Sequence, residues 1–266
     1  MTTTDIAPRR TARPKLRKIA LPAEHGSWGF TLEPIALGLL SAPTWGGAGL
    51  AVAAFFVFLL RWPLKIARSP QRSTQSARQR LARRIVLLYA LIIGAALLFT
   101  LPRTGLAPLW PLLIAAPFGL LFLFFDHQNQ TRTLLAEWVG PIAFGAAASV
   151  IALAGGWQPW PAVALWAALI ARAIPAVLFV RARIRLDKGR ESGTLMALAA
   201  HLGGLVAVGL LVQRGLLSTW ALPIFVLLLA RAAWGLSPWR RPVPIKVIGI
   251  AELLWGALTV LALGLG

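Results

Sequence analysis

Nine apolar stretches set the terms for this chain. They run at about 27–42, 45–62, 85–101, 108–125, 134–154, 160–180, 194–213, 217–236 and 244–264. A helix needs roughly 20 apolar residues to cross a bilayer's hydrocarbon core. In that medium every backbone N–H and C=O must find a partner within the protein, which a helix provides by itself. The expected fold is therefore all-α, a polytopic transmembrane helix bundle of about nine spans. Composition agrees: 58% of the residues are hydrophobic and 13% charged, where soluble domains stand near one half and one quarter. A water-soluble globule and a disordered chain are both excluded. The stretches leave only short loops, so the expected organisation is a basic cytoplasmic tail over 1–20 and a single transmembrane helical domain over 21–266. No apolar core follows the basic residues within that tail, so no cleavable signal is expected. The absence of cysteine removes disulfides and thiolate chemistry.

Charge gives the direction. With the N-terminus inside, 23 of the 27 Lys and Arg residues fall in cytoplasmic segments, against Arg103 and Arg214 outside and Arg172 and Arg231 within spans. This positive-inside asymmetry predicts a multi-pass protein of the cell (inner) membrane, N-terminus cytoplasmic and C-terminus outside. It also accounts for the net charge of +19 without nucleic acid as a partner. Membrane lipids are the expected partners. Trp28, Trp45, Trp62, Trp110, Trp138, Trp157, Trp160, Trp220 and Trp239 fall near span ends, the aromatic-belt position.

Charges inside spans are the candidate functional groups. Glu33, Glu137, Arg172, Arg231 and Glu252 would each cost roughly 2.5–3.5 kcal/mol near mid-membrane, so each should face the bundle interior and find a partner. By helical rise they lie within roughly 5–15 Å of the cytoplasmic end, and His201 sits at similar depth. The pattern describes a polar cavity open to the cytoplasm, lined by Glu24, His25, Glu33, Glu137, His201, Arg231 and Glu252; structural ion pairing explains the same charges. Arg61, Lys65, Arg68 and Arg72 are spaced for one helical face, although Pro63 and Pro70 argue against a continuous helix there. Arg172 and Arg183 return to nearly one face, with Asp187 a turn later. Such faces suit an acidic headgroup, because arginine offers a bidentate fork. Arg61, Lys65, Arg172, Arg183 and Asp187 are the candidate substrate-binding residues; topology-setting charge beside anionic lipid is the plainer account of the loop arginines. The catalytic residue, if there is one, is unknown. The three histidines are scattered, and neither metal nor cofactor is expected. Glu24-His25 stands just before a membrane entry, where it suits a headgroup, a proton or a helix cap.

These segments carry a resemblance. "LPAEHGSWGF…EP", a downstream "RWPL" and "RARIRLDKGRES" resemble the YwiC-like family of bacterial membrane proteins, most specifically through Glu24, His25, Gly26 and Trp28. That family implies membrane localisation and no particular chemistry. More distantly, nine helices with inner loops after the second and sixth resemble the UbiA superfamily of prenyltransferases. Those enzymes hold an isoprenyl diphosphate through Mg²⁺ on two Asp-rich motifs. The first would fall on Arg61, Lys65 and Ser69, which carry no carboxylate. The second would keep Asp187 and place Arg183 where another Asp belongs; "LLAEWVGPIAFG" is similar to a third stretch through Glu137. A lone Asp does not hold two Mg²⁺, which favour several carboxylates and waters.

The expected function is binding of an amphiphile with an anionic head, an isoprenoid or other anionic lipid, in a cytoplasm-facing polar cavity. A divergent UbiA-type prenyltransferase lacking the Asp-rich Mg²⁺ motifs, a small-anion transporter and a non-catalytic membrane subunit are the alternatives.

Overall fold

The computed structural model describes residues 16–22, 25–69 and 76–265. Among them the regular structure is helical throughout: α1 Arg17–Ala20, α2 His25–Ser41, α3 Trp45–Arg68, α4 Ser76–Thr104, α5 Pro111–His127, α6 Leu134–Ala154, α7 Pro159–Asp187, α8 Thr194–Gln213, α9 Ala221–Leu236 and α10 Ile245–Gly264, with a 3₁₀ turn at Ala107–Leu109. Each of the nine expected spans coincides with one of the helices α2 to α10. Seven are long and apolar enough to cross a membrane. The other two are shorter: α2 has 17 residues and α9 has 16, about 25 Å of helix against about 30 Å of hydrocarbon. The expected start of α9 is a turn instead, where Trp220 N donates to Ser218 Oγ at 3.3 Å.

Several elements run past their apolar segments. α4 begins at Ser76, and its exposed Arg78, Arg80, Arg83 and Arg84 extend the helix; arginine, alanine and glutamine favour helix once a neighbouring turn has nucleated it. α7 continues through its basic end to Asp187. α3 continues through Pro63 to Arg68, so the break expected there is absent. Thr44 caps α3 by accepting from Gly47 N at 3.1 Å, closing the tight first hairpin. Residues 17–20, placed by sequence in a tail, are packed down: Ile19 is buried among Phe58, Leu59 and Ala82. Trp62 Nε1 donates to Lys18 O at 3.1 Å.

α7 is the hub. Of its membrane-length segment 67% is buried, against 17% in each of α4 and the segment that includes α5. α7 packs on α6, α8 and α9, and α10 returns to α2, closing the bundle around it. Small residues allow the backbones to approach, as is usual where packing rather than hydrophobicity holds helices together. Ala146, Ala148 and Ala152 of α6 and Ala162, Ala164 and Ala168 of α7 are buried at these contacts. Ser149 Oγ donates to Ala162 O at 2.7 Å between the two helices. Pro175 cannot donate to the carbonyl of Ala171. That carbonyl faces α8 at Gly204, where a Cβ would stand only 2.6 Å from it. The bare backbone of Gly204 lets α8 lie against α7 at this point.

The consecutive helices alternate in direction, which gathers the basic segments at one end of the bundle. Trp45, Trp160 and Trp220 are exposed at the opposite end.

Candidate functional site

Four of the five charges expected inside spans meet at one level of the bundle. Arg172 Nη1 of α7 donates to Glu33 Oε2 of α2 at 2.8 Å, with side chains 2% and 10% exposed. Arg172 Nη2 donates to the backbone O of Glu252 in α10 at 2.9 Å. Arg231 of α9 donates through Nη1 to Glu252 Oε1. Its guanidinium also lies over the rings of Phe179 at 4.1 Å and Trp255 at 5.7 Å. His201 of α8 donates from Nδ1 to Ala197 O at 2.8 Å, which leaves Nε2 to face Arg231 Nη2 at 3.5 Å. Five helices thus contribute to one ionic cluster. Glu252 stands seven residues into α10 and His201 seven into α8, about 10 Å from the basic end.

One glycine makes the cluster possible. A Cβ on Gly256 would lie 2.0 Å from Glu33 Oε1 and 2.9 Å from Arg172 Nη2. The bare backbone of α10 is therefore the floor on which the Glu33–Arg172 pair rests. The cavity beside the cluster measures about 10 Å³. That is room for one water and not for a headgroup.

Glu137 lies elsewhere. It receives Arg181 Nη1 at 2.5 Å near the basic end, with 32% of its side chain exposed. Arg183 and Asp187 form a third group. Arg183 Nε donates to Asp187 Oδ2 at 3.0 Å, and its other two nitrogens donate to the carbonyls of Gly235 and Arg241. Arg240 reaches Asp187 Oδ1 at 3.2 Å. This group ties the end of α7 to the segment between α9 and α10.

The fourth group joins α3 to α5. Lys65 Nζ donates to both Oδ1 and the backbone O of Asp126, each at 2.9 Å, and Arg61 stands 3.5 Å from Oδ1. Arg61 also lies over the Phe122 ring at 5.1 Å. Next to Lys65 an open cavity of about 240 Å³ separates α3 from α4, lined by Trp62, Lys65, Ile66, Ser69, Arg78 and Gln79. Gln79 Nε2 donates to Ser69 O at 2.7 Å across its floor. Arg78 is exposed, and no carboxylate pairs with it among the described residues.

All five candidate substrate-binding residues thus have protein partners; all three nitrogens of Arg183 are engaged, and Arg172, whose Nε alone has no partner, borders a cavity too small for a headgroup. Sequence reasoning missed Asp126, Arg78, Arg181 and Arg240. Asp126 had one available signal, a carboxylate ending the apolar run "LLFLFFDH" beside a basic hairpin. Glu24 and Arg72 lie outside the described residues, and the side chain of His25 is likewise undescribed.

The comparison with known families falls on the stretch from Leu21 through α2 to α6. Residues 21–152 match the YwiC-like protein family. No curated protein and no solved structure matches the chain. The YwiC-like segment contains Glu33, Asp126, Lys65 and the whole lining of the α3–α4 cavity. The partners of Glu33 in the central cluster, on α7 to α10, lie beyond the matched residues.

Proposed function

We propose that this integral membrane protein binds an amphiphile with an anionic head, and that the head enters the open cavity between α3 and α4 on the cytoplasmic side of the inner membrane. The observation that carries the reading is the 240 Å³ cavity with Arg78 and Lys65 on its wall. Two cations converge on a space large enough for a phosphate group, and an arginine there grips two oxygens at once. Trp62 and Ile66 supply the apolar side where head and tail join. Leu87, Leu88 and Leu91, exposed further along α4, offer the tail a lipid-facing track.

Asp126 competes with the ligand for Lys65. Native mass spectrometry of protein purified in mild detergent reads the balance directly. Wild type should retain an anionic lipid, Arg78→Glu should lose at least about tenfold of it, as removal of a charge-assisted contact does, and Asp126→Asn should retain more. Displacement by inorganic phosphate alone would identify a free anion as the ligand and overturn the amphiphile. Equal lipid content in wild type and Arg78→Glu would remove the site.

A further inference from the structure

Gln79 reaches the α3–α4 cavity with half of its amide unused. The residue is 3% exposed, a depth at which polar atoms are normally bonded. Its Nε2 donates to Ser69 O at 2.7 Å and lies 3.3 Å from Ser69 Oγ. This contact fixes which end of the amide is which. Ser69 O can only accept, so the atom against it is the nitrogen, and the oxygen is the end left over. Oε1 accepts from no described residue. It is also not one of the sealed polar atoms without a partner, so it keeps contact with the open space. Ser69 cannot supply the missing donor, because its hydroxyl is already given to Ile66 O at 2.8 Å.

The cavity wall therefore holds two kinds of group. Lys65 and Arg78 only donate, and they call for anionic oxygen. Gln79 Oε1 only accepts, and an ionised oxygen gives it nothing. A ligand that satisfies the whole wall carries an anion and an N–H or O–H donor together. Charge chooses between the two donors. An ammonium would stand in the same small space as Lys65 and Arg78, where like charges repel. A hydroxyl is neutral and meets no such opposition. A phosphomonoester has no equivalent donor, since its P–OH ionises at about pH 6, and more readily beside cations.

We propose that the cavity selects an anionic lipid whose phosphodiester head ends in a neutral hydroxyl, a glycerol or other polyol head, and that Gln79 is the residue that reads the hydroxyl. The inference rests on lipid binding in this cavity and adds the class of head. The two unesterified phosphate oxygens meet Arg78 and Lys65, and the hydroxyl turns back to donate to Gln79 Oε1. All three side chains line one space of about 240 Å³.

A competition read by native mass spectrometry tests the selection. The protein in mixed micelles is equilibrated with equal amounts of dioleoyl phosphatidylglycerol and dioleoyl phosphatidylmethanol, which match in charge and tails and differ in the head hydroxyls. Wild type should retain phosphatidylglycerol about twofold to tenfold over phosphatidylmethanol, the effect of one net hydrogen bond. Gln79→Met, of similar length but without the acceptor, should retain the two equally. Equal retention by wild type, or an unchanged ratio in Gln79→Met, overturns the selection and leaves lipid binding standing. Retention of neither lipid by wild type overturns lipid binding itself. The wild-type ratio decides even where Gln79→Met fails to fold. Two further arms fix the chemistry. Phosphatidylserine has the same net charge with an ammonium donor, and its retention above phosphatidylglycerol would overturn the neutral hydroxyl. Deacylated phosphatidylglycerol is the same head without tails, and its retention at the level of the lipid would overturn the lipid and assign the head to a solute.

Discussion

Arg172→Ala is the sharpest perturbation the structure offers. The guanidinium is 2% exposed and makes two charge-assisted hydrogen bonds, to Glu33 Oε2 and to the backbone O of Glu252. Its removal strands Glu33, itself 10% exposed, in a medium that cannot hydrate it. Breaking a buried pair from one side costs about 3–5 kcal/mol. That is a loss of two to four orders of magnitude in the folding equilibrium, at about 1.4 kcal/mol per tenfold. Glu33→Gln on the Arg172→Ala background removes the stranded charge and should recover about 1–3 kcal/mol, the usual penalty of an unmet buried group. The assay is SDS-driven unfolding in mixed micelles, followed by far-ultraviolet circular dichroism for wild type, each single variant and the double. Strong non-additivity is the expected result. An Arg172→Ala variant within about 1 kcal/mol of wild type, roughly the size of an exposed pair, would refute the structural reading. If that variant also lost its bound anionic lipid, Arg172 would belong to a ligand after all.

Gly256→Ala should cost at least about 1–3 kcal/mol in the same titration, the usual range for overpacking, because its Cβ would stand 2.0 Å from Glu33 Oε1; a neutral result would mean that α10 does not floor the pair. A reporter fused after residue 266 should be active only outside the cell if all of α2 to α10 cross and the positive-inside asymmetry sets the direction; activity inside would mean that one helix, such as the short α2 or α9, does not cross. Retention of a lipid diphosphate should be the same in Mg²⁺ and in EDTA, because the basic end lacks paired Asp-rich motifs; an absolute Mg²⁺ requirement would restore the prenyltransferase alternative.

The helices were legible because lipid solvation writes itself into composition: an apolar run of the right length has few other uses. Their ends were less legible. Lipid does not dictate where the helix stops in water, so the basic turns at Arg78–Arg84 and Arg181–Asp187 extend on helix propensity and on contacts distant in sequence, such as Gln79 with Ser69 and Arg181 with Glu137. The site divides in the same way. The depth of Glu33, Arg172, Arg231 and Glu252 could be read from the chain, because a charge at mid-span demands an explanation wherever it occurs. Their pairing could not. Arg172 and Glu33 are 139 residues apart, and nothing local says which carboxylate an arginine will meet. Glu137 shows the hazard: at similar sequence depth it turns to Arg181 at the helix ends. The α3–α4 cavity was invisible for a simpler reason, since it is lined from two helices and no single stretch of sequence contains it.

The 139-residue separation between Glu33 and Arg172 has a consequence for biogenesis. α2 is made first and enters the membrane carrying a carboxylate with no counter-charge. At roughly 5–20 residues per second of synthesis, its partner follows some 7–28 seconds later. Each charge taken singly opposes insertion of its own helix, at roughly 2.5–3.5 kcal/mol on the insertion scale. The charge-neutralising partner of α2 is thus available only once α7 has been made. A chain cut short before α7 would carry Glu33 without the arginine that neutralises it in the finished bundle.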